Sequence, residues 1–116
     1  MRKTIVLLLS VAVILGCIAA PVASAATINT RIVSISTVSE FHGISMKKLK
    51  LVFDFKGNGK IRTRLGFRKN GDDTLYGGKT TTTYYNASKW TRTTKYSNLV
   101  DSSIGANIPV CQVTIL

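Results

Sequence analysis

From Lys47 to Lys69 the chain keeps a two-residue rhythm. Leu49, Leu51, Phe53 and Phe55 alternate with Lys48, Lys50, Val52, Asp54 and Lys56. After Gly57-Asn58-Gly59 the rhythm resumes, with Ile61, Thr63, Leu65 and Phe67 set against Lys60, Arg62, Arg64, Gly66 and Arg68. Side chains alternate across a strand, so this pattern sorts apolar groups to one face of a sheet and cations to the other. Two strands joined at the glycines are expected. A two-residue turn at Asn58-Gly59 would set apolar residues opposite charged ones, because a slip of one residue flips every side chain. A three-residue loop, Gly57 to Gly59, pairs Phe55 with Ile61, Phe53 with Thr63, Leu51 with Leu65 and Leu49 with Phe67, and puts Asp54 opposite Arg62. Gly59 would supply the left-handed residue that such a loop needs.

The remaining segments also read as strands. Thr, Val, Ile, Tyr and Phe are abundant, Gly, Asn, Asp and Ser punctuate them, and no amphipathic helix stands out. Expected strands are 28–38, 79–85, 89–96 and 108–116. Loops are expected at 39–45 and 97–107, around Gly71-Asp72-Asp73 and Gly77-Gly78, and at Asn86-Ala87-Ser88. The fold class implied is all-β: a small antiparallel β-sandwich or partly open barrel of about five or six strands, preceded by a helical signal peptide.

The leader is read from three consecutive regions. Arg2 and Lys3 are followed by an apolar run from Ile5 and then by Ala23-Ser24-Ala25, which fits a secretory cleavage site between Ala25 and Ala26. Pro21 interrupts the run near the roughly 20 apolar residues that a membrane span needs. Residues 1–25 are therefore expected to be a signal peptide and residues 26–116 a single β-rich domain, secreted to the extracellular or periplasmic space. Val13-Ile14-Leu15-Gly16-Cys17 resembles a bacterial lipobox, which implies lipid anchoring at Cys17 as the alternative.

Charge narrows the choice of partner. The chain has 16 Lys and Arg against 5 Asp and Glu, and removing Arg2 and Lys3 with the leader would leave fourteen cations against the same five acids. All nine aromatics, four Phe, four Tyr and one Trp, lie beyond residue 25, a content at odds with a disordered tail. Cys111 would be the one cysteine left, which rules out an internal disulfide and, within an apolar run, points to a buried thiol, with an intermolecular bridge as the alternative.

Two groups of residues could carry function. The first is the cationic face, Lys48, Lys50, Lys56, Lys60, Arg62, Arg64 and Arg68, expected to bind anions. Seven cations with Asp54 as the only acid exceed what solubility requires, and a field of one sign concentrates anions. The second mixes aromatics and cations: Tyr84, Tyr85, Lys89, Trp90, Arg92 and Lys95, with Tyr96 beside them. Rings offer stacking surfaces while Lys and Arg bind phosphates. Trp90, Arg92, Thr94 and Tyr96 share one parity, which fits a packed face equally well.

Catalytic material is sparse. His42 is the single histidine, so no multi-histidine metal site can form. Asp72-Asp73 reads as a loop, and Asn86-Ala87-Ser88 matches a glycosylation acceptor that turn chemistry also explains. No catalytic residue, metal or cofactor is assigned. The expected function is a secreted, non-enzymatic protein that binds an anionic cell-surface polymer, acidic glycan, lipid headgroup or nucleic acid, as an adhesive or as an antimicrobial or toxin-like agent. A protein-binding module, such as an enzyme inhibitor, and a pore-forming subunit that inserts a 79–96 hairpin are the alternatives.

Overall fold

The computed structural model describes residues 3–8 and 27–116. Among them the protein is all-β, with one antiparallel sheet, a single 3-10 turn at Ser102–Ile104 and no α-helix. The strands are β1 (Lys3–Leu8), β2 (Thr27–Phe41), β3 (Ser45–Arg68), β4 (Tyr76–Tyr96), β5 (Val100–Asp101) and β6 (Ile108–Ile115). β1, within the segment expected to be a leader, runs antiparallel to β6 from Lys3 opposite Ile115 to Leu8 opposite Val110. Cys17 and the Ala25–Ala26 junction lie outside the described residues.

β3 organises the molecule. One of its edges pairs first with β2 and then with β6, and the other pairs with β4 and, at Met46 and Lys47, with β5. Its 24 residues would stretch roughly 80 Å if straight, whereas the longest molecular dimension is 44 Å. The strand therefore bends, and its two ends approach each other: the Lys47 ammonium lies 4.8 Å from the centre of the Phe67 ring.

This corrects the expected hairpin. Gly57-Asn58-Gly59 is no turn; β3 runs on through it, paired to Thr27 and Ile28 on one side and to Asn86 and Ala87 on the other. Asn86-Ala87-Ser88 likewise lies within β4, so the expected 79–96 hairpin is one strand. The alternation could not separate the two arrangements, because a strand that continues and a three-residue loop both keep odd residues together on one face. The turn-forming residues act as bend points instead. Gly57 has φ of 105°, and a Cβ there would collide with the Thr27 carbonyl oxygen. Opposite it, β4 bulges between Ala87 and Thr91, and bulges sharpen the local bend. The two halves of β3 meet through their apolar faces rather than along their edges.

The face assignment itself holds. Leu49, Leu51, Phe53, Phe55, Ile61, Thr63, Leu65 and Phe67 are buried. Ile28 and Ile35 from β2, Val100 from β5, Ala106 and, from β6, Cys111, Val113 and Ile115 join them in the core. Tyr85 packs its ring 4.2 Å from that of Phe55. Cys111 is buried, as its apolar setting implied.

Candidate anion-binding face

Even-numbered residues of β3 point away from the core, and the flanking strands extend the same face. Across β3, Arg31 of β2 and Arg92 of β4 both stand opposite Asp54, Lys50 stands opposite Tyr96, and Lys60 opposite Tyr84. Arg62 lies between Thr82 and Thr114, and Arg64 between Thr80 and Gln112. The sequence could not foresee this merger, because which strands flank β3 is a matter of topology. Cations of the first group and rings of the second now share one surface.

Asp54 anchors its centre. The Nε groups of Arg31 and Arg92 each donate to its carboxylate at 2.9 Å. The Arg92 hydrogen bond, then the Arg31 one, holds this carboxyl below its ordinary pKa. The expected partner, Arg62, instead approaches Thr82 Oγ1 at 3.5 Å. The Arg31 guanidinium also stacks 4.2 Å from the centre of the Trp90 ring.

The seven expected cations fare differently. Lys48 pairs with Glu40 and lies 4.5 Å from the centre of the Tyr96 ring. Arg68 is half-buried and donates to the Lys69 carbonyl at 3.3 Å, while its Nε is buried without a hydrogen-bond partner. Lys50, Lys56, Lys60, Arg62 and Arg64 form no ion pair with a carboxylate of the described residues.

The aromatic group divides by parity. Tyr84, Trp90 and Tyr96 are on the outer face, exposed by 61%, 41% and 40%, so the packed-face reading of Trp90 and Tyr96 does not apply. Tyr85 and Lys95 face inward: the Lys95 ammonium donates to Thr83 Oγ1 at 3.1 Å and lies 5.9 Å from the Tyr85 ring centre. Lys89 is exposed in the bulge. His42 sits in the turn after β2 with its Nε2 2.8 Å from a Glu40 oxygen. Asp72 accepts from the Thr74 amide at 2.9 Å, which explains it as a loop residue. Asn86 is exposed within β4.

Fold and face together define an all-β protein whose curved sheet carries cations and aromatic rings on its outer side. No protein-family model, curated protein or solved structure matches the chain. Among the described residues no helix is long and apolar enough to cross a membrane.

Proposed function

We propose that the protein is a secreted, non-enzymatic module that binds a flexible polyanion across the outer face of its sheet. The leader at 1–25, the mature domain at 26–116 and the partly open barrel that a curled sheet of this kind makes belong to the same reading. One observation carries it. Arg31, Lys48, Lys50, Lys56, Lys60, Arg62, Arg64 and Arg92 share the outer face with only two carboxylates, Asp54 and Glu40, among the described residues. Three exposed rings stand among them. Such a field draws anions in at a rate that falls with salt.

Curvature favours a polymer over a planar membrane. The apolar sides of β3 face each other, so the cations at 48–56 and those at 60–64 look outward from opposite arms. A bilayer meets one arm at a time, whereas a chain of an envelope polymer, acidic glycan or nucleic acid can follow both. Replacing Arg62 and Arg64 by Ser should bring elution from heparin to lower salt while thermal unfolding stays close to that of the parent. Unchanged elution of the folded double variant would remove this face as the binding site.

A further inference from the structure

Lys47 breaks the rule that sorts cations outward. It has the parity of Leu49 and Leu51, and only 8% of its surface is exposed. Its ammonium donates to Asn107 Oδ1 at 2.6 Å and lies 4.8 Å from the Phe67 ring centre. Burial lowers its pKa below the ordinary lysine value. No carboxylate of the described residues pairs with it. The carboxylate of Asp101, which follows the cross-strand partner Val100, accepts at its Oδ1 from the amide and hydroxyl of Ser103 instead. An ammonium has three donors, and a buried charge is costly unless it is paired and hydrogen-bonded.

Lys47 lines a cleft of about 380 Å³ where the two ends of β3 approach, together with Ile35, Ser36, Thr37, Phe67, Asn107 and Pro109; both groups that its ammonium meets, Asn107 and the Phe67 ring, belong to residues of the same lining. That volume is at the small end for ligand sites. Ile35, Phe67 and Pro109 give it apolar walls, and the Lys47 ammonium, the Asn107 amide and the Ser36 and Thr37 positions give it a polar side.

We propose that this cleft binds a small carboxylate with a short apolar tail, the carboxylate meeting Lys47 and Asn107 and the tail lying along Ile35, Phe67 and Pro109. One buried cation calls for one negative charge, which suits a monocarboxylate better than a dianionic phosphate. The site is on the inner side of the sheet and does not depend on polyanion binding at the outer face.

Octanoate and octanol, which share a chain length and differ in charge, provide the test. Isothermal titration of the purified protein at neutral pH should give one saturable site for octanoate, with octanol at least tenfold weaker. Lys47→Met, which fills an apolar position without a charge, should keep the fold and abolish the preference. Arg62→Ser should leave octanoate binding unchanged while weakening heparin retention, which separates this site from the outer face. Equal affinity for octanoate and octanol, a preference that survives in the Met variant, or the lack of a saturable site would each overturn the assignment.

Discussion

Asp54 shows how one acid organises a surface of cations. Its side chain is buried while the side chains of Arg31 and Arg92 remain more than half exposed, so the carboxylate is fixed and the guanidinium groups are held over it from both neighbouring strands. Its depressed pKa links it to pH. A carboxylate with a folded pKa below its unfolded value adds stability above the unfolded value and loses it as pH falls through the folded one. Glu40, Asp72 and Asp101 are depressed too, by Lys48, by the Thr74 amide and by the Ser103 amide in turn. Stability should therefore fall as pH drops below about 4, the ordinary carboxylate range. Asp54→Asn should lower the melting temperature at pH 7 and narrow its gap to the parent as the pH approaches 2; a constant gap from pH 7 to 2 would mean that the ion pairs contribute nothing. Lys47 was not singled out in the sequence: it has the parity of Leu49 and Leu51, but its contact with Asn107 spans 60 residues and no local pattern reports it.

At the scale of elements, β3 and β4 explain why alternation was readable and connection was not. Parity is a local property, and every apolar position from Leu49 to Phe67 kept its face. Whether Gly57-Asn58-Gly59 reverses the chain or bends it depends on what lies alongside. Here Thr27 and Ile28 on one edge and Asn86 and Ala87 on the other pair with it, and those partners are distant in sequence. The residues that open a turn also let a strand curve, because both need backbone that other residues resist. Glycines of the fold should accordingly differ in cost. Gly43 has positive φ but open space within 4 Å of where a Cβ would stand, whereas a Cβ at Gly57 meets the Thr27 carbonyl. Gly43→Ala should cost about 1–2 kcal/mol from left-handed strain alone. Gly57→Ala adds a backbone clash, and overpacking of this kind typically costs roughly a further 1–3 kcal/mol. Urea unfolding of the two variants should rank them in that order; equal losses would mean that β2 yields at the bend without cost.

At the scale of the whole molecule, the proposed polyanion binding carries an expected stoichiometry. With fourteen cations against five acids once Arg2 and Lys3 leave with the proposed leader, some attraction to any polyanion follows from charge alone, so affinity by itself says little about the face. The arrangement of the cations says more. Lys50 and Lys56 stand on one arm of the bent β3, and Lys60, Arg62 and Arg64 on the other, with Trp90 and Tyr96 beside the first group and Tyr84 beside the second. On the proposed function, a flexible chain that follows the outside of the bend would engage both groups at once. For a single-stranded oligothymidylate, each phosphate contact contributes roughly 0.7 to the slope of log affinity against log salt. Lys50→Ser with Lys56→Ser, or Arg62→Ser with Arg64→Ser, should each lower that slope by about 1.4, with one long strand bound per protein throughout. Tyr84→Ala should weaken binding by about 1–3 kcal/mol if a base stacks there, with little change in slope, because a ring carries no charge. Arms that act as separate sites would bind two strands per protein. In that case the loss of one pair would remove one strand and leave the other's salt dependence as it was.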